Sequence, residues 1–107
     1  MTDYLQVLTT LPTREAAEKI SRVLLEARLA ACVQIVGPIV SSYWWQGQIE
    51  TSEEWQCLAK TRLAYYERLE AAVLEAHPYD VPEIVATPIE RGHAAYVEWL
   101  RGELDSR

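Results

Sequence analysis

ACVQIVGPIVSSYWWQGQIETSEEWQCLAKT, from Ala31 to Thr61, reads as two strands and the turn between them. Ala31 to Val36 and Ile39 to Trp45 are rich in branched and aromatic residues, which favour extended backbone. Gly37-Pro38 lies between them and predicts an interruption by a bulge or bend. Proline has no N–H to give a ladder, so Pro38 is expected at a sheet edge. Gln46-Gly47-Gln48 predicts the hairpin turn, and a third strand starts at Ile49, its opening loosened by Glu53 and Glu54. From Trp55 onward, Trp55, Cys57, Ala59 and Thr61 share one face and Gln56, Leu58 and Lys60 the other. Strands usually run about five or six residues, so this hairpin is long for its chain. A ribbon carrying Tyr43, Trp44, Trp45, Ile49 and Trp55 cannot cover itself, and large exposed apolar patches mark interfaces. Tyr43, Trp44, Trp45 and Trp55 are read as interface anchors, a role in which Trp and Tyr are enriched. A homo-oligomer built by strand pairing between subunits is expected.

Working outward, Tyr4 to Leu11 reads as a first strand. Thr13 is a good N-cap, Glu15 suits the first turn, and Ala16, Ala17, Ile20, Val23, Leu24 and Ala27 recur at helical spacing. This helix is expected to end near Arg28 or Leu29. Leu63 to Ala76 predicts a second helix, with Tyr65, Tyr66, Leu69, Ala72, Val73 and Ala76 on one stripe. Ile84 to Ile89 predicts a fourth strand whose end, at Pro88, lies at an edge. Ala95, Tyr96, Trp99, Leu100 and Leu104 mark a short C-terminal helix beyond Gly92. The order strand, helix, strand, strand, helix, strand, helix is that of an α+β, ferredoxin-like domain spanning residues 1–107. Its antiparallel sheet carries helices on one face, with the C-terminal helix as an addition.

The chain has 107 residues, half of them apolar, which suits one globular domain. Ten basic against sixteen acidic residues leave a net charge of −6, a surface that repels nucleic acid and anionic membranes. No apolar run of about 18 residues occurs. Met1-Thr2-Asp3-Tyr4 lacks the basic and apolar regions of a signal peptide, so a cytoplasmic location is expected. Cys32 and Cys57 sit in strands far apart and read as two buried thiols, not a disulfide.

Between the second helix and the fourth strand lies His77-Pro78-Tyr79-Asp80-Val81-Pro82-Glu83-Ile84. Each proline fixes its own φ and pushes the residue before it out of helical geometry. The segment is a stiff connector able to hold polar side chains in set directions. For an enzyme, Ser41, Ser42, Thr51 and Ser52 have no motif around them. Gly-rich phosphate loops and CxxC or HExxH patterns do not occur, so no catalytic residues are assigned.

Several segments together resemble the CutA family, the divalent-cation tolerance proteins. They are Arg28-Leu29-Ala30-Ala31-Cys32-Val33-Gln34-Ile35, Ser42-Tyr43-Trp44-Trp45-Gln46-Gly47, Lys60-Thr61, the His77 to Ile84 connector, Pro88-Ile89, Gly92, and Tyr96 with Trp99. The resemblance runs from about Tyr4 to Leu100. It implies a ferredoxin-like subunit in a homotrimer and a cytoplasmic protein associated with tolerance to divalent metals, notably copper. The trimer is also similar to that of the PII signalling proteins, whose subunit clefts bind small ligands.

The resemblance also implies a copper site made by a cysteine near the end of the first strand and two adjacent histidines before Pro-Tyr. Here Thr9 stands at the cysteine position and Ala76 at the first histidine, which leaves His77 as the one metal candidate. One imidazole makes a weak site. The other reading of His77 is a helix-terminal residue bonding a nearby carbonyl or carboxylate. Asp80 and Glu83, with Tyr79 and with Lys60 reached across a subunit boundary, are ligand-cleft candidates. The competing reading is an ion pair that positions the connector. No cofactor is required; a divalent cation such as copper, or a small molecule, is the expected ligand.

Overall fold

The computed structural model describes residues 3–105. Strand β1 (Tyr4–Leu11) leads into helix α1 (Arg14–Glu26), followed by β2 (Cys32–Trp45) and β3 (Gln48–Arg62). A 3₁₀ turn (Leu63–Tyr65) precedes α2 (Tyr66–Ala76), then β4 (Ile84–Pro88) and α3 (Ala94–Asp105) complete the chain. The four strands lie in the order β2-β3-β1-β4, all pairs antiparallel. This is the ferredoxin-like α+β arrangement. Pro88 ends β4, and β4 is an edge strand, where its missing N–H breaks no ladder.

Alternation along the central strands sets the core. Leu5, Val7, Thr9 and Leu11 of β1 stand opposite Thr61, Ala59, Cys57 and Trp55 of β3. The first seven of these are buried, and Leu5, Val7, Leu11, Cys57 and Ala59 pack with Ala17, Ile20 and Leu24 of α1 and Leu69 and Val73 of α2. Burying a Leu or Ile side chain contributes about 1.5–3 kcal/mol, so this layer is the main source of subunit stability. The Thr13 hydroxyl accepts from the Ala16 N–H and starts α1. α1 stops at Glu26, two or three residues short of the expected end, because Arg28 turns left-handed (φ 57°). Leu29 N–H then bonds the Leu24 carbonyl and Arg28 N–H the Leu25 carbonyl, a Schellman closure. The Arg28 guanidinium also reaches the Glu103 carbonyl and carboxylate in the last turn of α3.

Of the readings of this hairpin, one holds and one is corrected. Gly37-Pro38 forms the expected bulge, between Val36 and Ile39, with a cis Gly-Pro peptide, and β2 continues through it from Cys32 to Trp45. Gly37 is required there, since a Cβ would come within 2.5 Å of the Trp55 ring. Glu53 and Glu54 do not loosen β3, because both are paired, opposite Val40 and Ile39. α3 is the expected addition and lies apart from α1 and α2. Its partners Arg62 and Cys32 have the opposite parity to the core-facing Ala59 and Thr61, and Leu100 and Leu104 are buried apart from the main cluster.

Candidate functional site

Beyond Trp55, β3 has no partner except β2. The seven pairs from Ile39↔Glu54 to Trp45↔Gln48 form a two-stranded ribbon closed by Gln46 and Gly47, both at positive φ, as a two-residue hairpin turn demands. The ribbon has two unlike faces. One carries Val40, Trp44 and Ile49, exposed to 77%, 73% and 63%, with a Ser42–Thr51 hydroxyl pair between them. The other carries Ile39, Tyr43, Trp45 and Glu54, and here the Tyr43 and Ser52 hydroxyls bond. An isolated two-stranded ribbon is marginal in water. Of the expected anchors, Tyr43, Trp44 and Trp45 are exposed, whereas Trp55 is half-buried against the core, between Gly37 and the Arg14 guanidinium 5.9 Å from its ring.

The connector meets the ribbon at its base. α2 ends at His77, whose ring is half-buried. Its Nε2 lies 2.8 Å from the Thr10 carbonyl, and its Nδ1 lies 3.1 Å from the Tyr79 amide nitrogen. A carbonyl only accepts and an amide N–H only donates, so the tautomer is Nε2–H with Nδ1 bare. Burial holds the imidazole pKa below 6.5, against the opposing pull of the Thr10 carbonyl and the Glu54 carboxylate. The Tyr79 ring packs against that of His77 and its hydroxyl donates to Glu54 Oε2 at 2.7 Å. Burial and this bond push the phenol pKa far above its ordinary value. Glu54 itself is only 6% exposed. Sequence reasoning missed it, because its partner lies 25 residues away and no local pattern links them.

The other candidates are not brought together within one chain. Lys60 stands on β3 opposite Cys32 and Gln6, its ammonium donating to Gln34 Oε1 at 3.0 Å. Asp80 and Glu83 are exposed on the connector, next to β4. Two strand spacings and about four residues along the sheet separate Lys60 from Glu83, roughly 15 Å. Tyr79 has its hydroxyl committed to Glu54.

The donor set does not fit a copper centre at the connector. Both ring nitrogens of His77 have partners, Ala76 offers no donor, and the Thr9 hydroxyl is buried with no hydrogen-bond partner among the described residues. Those residues contain no group of three His, Cys, Asp or Glu side chains placed to share an ion. The cysteines are unbridged. The Cys57 thiol donates to the Ala17 carbonyl, and burial lifts its pKa to about 11. Cys32 is only half-buried, not buried as expected, and lies beside the Tyr96 hydroxyl.

The family model described as CutA1 divalent ion tolerance protein matches residues 5–103. The chain belongs to the CutA1 family. The divalent-cation tolerance protein CutA of Thermus thermophilus is 46% identical over 95 residues, 89% of this chain and 92% of that one. The chloroplastic CutA 1 of rice is 41% identical over 95 residues, but the chain spans only 54% of its length. A crystal structure of CutA from Xylella fastidiosa superposes with a TM-score of 0.93 at 39% identity, covering 97% of this chain and all of that one. CutA1 membership agrees with the ribbon and connector segments on which the resemblance was built, and the family is named for tolerance, not for an enzymatic reaction.

Proposed function

We propose that the chain assembles as a homotrimer through its ribbon and serves divalent-cation tolerance in the cytoplasm, by weak cation binding or sensing at clefts between subunits. The observation that carries this reading is the uncovered face formed by Val40, Trp44 and Ile49. Such a face is costly on a subunit in water and is the kind of patch that marks an interface. Assembly would also give Lys60 a route to the Asp80 and Glu83 of a neighbour, which it cannot reach in its own chain. The free thiols suit a reducing compartment.

The cation contact is assigned to Asp80 and Glu83, oxygen donors on a chain of net charge −6. Carboxylates bind hard and borderline ions, whereas copper favours thiolate, thioether or imidazole. A copper ion at His77 would have to displace the Thr10 carbonyl or the Tyr79 amide. A second reading is a PII-like trimer that senses a small molecule. It is favoured by Lys60, a cation whose ammonium meets a neutral amide, that of Gln34, among the described residues.

Light scattering decides assembly: about three times the 12.2 kDa chain mass is expected, and a monomer at micromolar concentration overturns the proposal. Titration calorimetry with copper, zinc and calcium decides the ligand. Heats lost in the Asp80→Asn, Glu83→Gln variant support cation binding. Silence with every ion at tens of micromolar, with metabolite binding lost in Lys60→Ala, favours the second reading.

A further inference from the structure

Thr10, His77, Tyr79 and Glu54 form a chain of three hydrogen bonds. It ties β1 to the connector and the connector to the foot of the ribbon. The first two bonds require a neutral imidazole, since an imidazolium donates from both nitrogens. A proton on Nδ1 would face the Tyr79 N–H, donor against donor. Tyr79 is held at two ends, by its amide on His77 and its hydroxyl on Glu54, so losing the first bond loosens the second. We infer that this chain is a pH-operated latch, in which protonation of His77 at Nδ1 releases Tyr79 and with it Glu54 at the base of the ribbon.

The groups around the imidazole fix the direction. β1 offers the Thr10 carbonyl and β3 the Glu54 carboxylate, both of which favour the charged ring. The connector offers the neutral Tyr79, and Tyr43 of β2 stands by the Tyr79 phenol. Asp80, next along the connector, is exposed. Burial outweighs the favourable groups and the folded pKa lies below 6.5. The unfolded chain therefore binds the proton more readily than the folded one just below pH 6.5. Stability from the neutral ring is complete above that value and is lost as the pH falls through the lower, folded pKa. The latch is closed at neutral pH and opens on acidification.

This goes beyond the assembly proposal and does not depend on it, because every group lies in one chain. Nitrogen-15 NMR of the intact protein, followed from about pH 8 to about 4.5 across the ordinary histidine range, tests it. At neutral pH His77 should show the Nε2–H tautomer. It should titrate with a midpoint below 6.5, and the Tyr79 amide shift should move with the same midpoint. In His77→Asn, whose amide oxygen can replace Nδ1 as acceptor, the Tyr79 movement should vanish. A midpoint at or above 6.5, a Tyr79 amide that ignores it, or an unchanged Tyr79 titration in His77→Asn overturns the inference. Should His77→Asn fail to fold, the wild-type tautomer and shared midpoint decide alone. The oligomeric mass is read separately, so a monomer showing the shared midpoint would leave the latch standing and the assembly proposal refuted.

Discussion

Replacing Tyr79 by Phe removes one oxygen atom and should destabilise the protein more than replacing Glu54 by Val, although both changes delete the same hydrogen bond. The asymmetry follows from burial. Glu54 is 6% exposed, so without the Tyr79 hydroxyl its carboxylate stays out of water with its bond unmade. Hydrogen bonds to charged groups contribute about 1.5–3 kcal/mol, and an orphaned buried group costs about as much, so Tyr79→Phe should cost about 2–3 kcal/mol. Glu54→Val instead removes the buried charge and leaves a half-buried phenol that can turn to water. Replacing a buried ionic group by an apolar one of suitable shape is often neutral or better, so this change should fall within about 1 kcal/mol of wild type. In the double variant both partners are gone, and its stability should lie close to that of Glu54→Val, not at the sum of the two. Urea unfolding at one protein concentration measures all three, since an oligomer's stability depends on concentration. With an m-value of about 1–3 kcal/mol per molar, Tyr79→Phe should move the midpoint down by about 1–2 M. A Tyr79→Phe protein within about 0.5 kcal/mol of wild type, or an equal cost for Glu54→Val, would refute the argument that burial of the carboxylate sets the energetics here.

Trp44→Glu places a charge on the most exposed face of the ribbon and should abolish assembly while leaving far-ultraviolet circular dichroism nearly unchanged, read by light scattering beside the spectrum. Gly37→Ala sets a methyl 2.5 Å from the Trp55 ring and should cost about 1–3 kcal/mol by overpacking, with a change in near-ultraviolet dichroism as the indole moves.

Much of the fold was legible because its signals are local. β1 was read with its observed bounds, Tyr4 to Leu11, and Thr13 capped α1 as its hydroxyl predicted. The Trp55, Cys57, Ala59, Thr61 face proved to be the core face, because alternation needs no knowledge of a partner. The readings that failed depended on contacts distant in sequence. Glu53 and Glu54 looked like a loosened strand start, but pairing with Val40 and Ile39 holds them in β3. Trp55 grouped with the ribbon aromatics in sequence, yet it sits where β1 still flanks β3 and so belongs half to the core. At the candidate site the connector was found from its prolines and polar groups. Its orientation toward Glu54 was not legible, nor was the use of both His77 nitrogens within the chain.

Arg28 ends one helix and grips another, and these two duties oppose each other energetically. Its left-handed backbone costs about 1–2 kcal/mol in any residue with a Cβ. Its guanidinium returns a comparable amount through the α3 carbonyl and the Glu103 carboxylate, a partly exposed pair worth about 0.2–1 kcal/mol with a similar helix-end contribution. Arg28→Gly would relieve the first and forfeit the second, leaving the melting temperature almost where it began. The end of α3 would nonetheless come loose, visible as faster amide exchange in its last turn. A position can thus be thermally silent and still decide how one segment of the molecule is held.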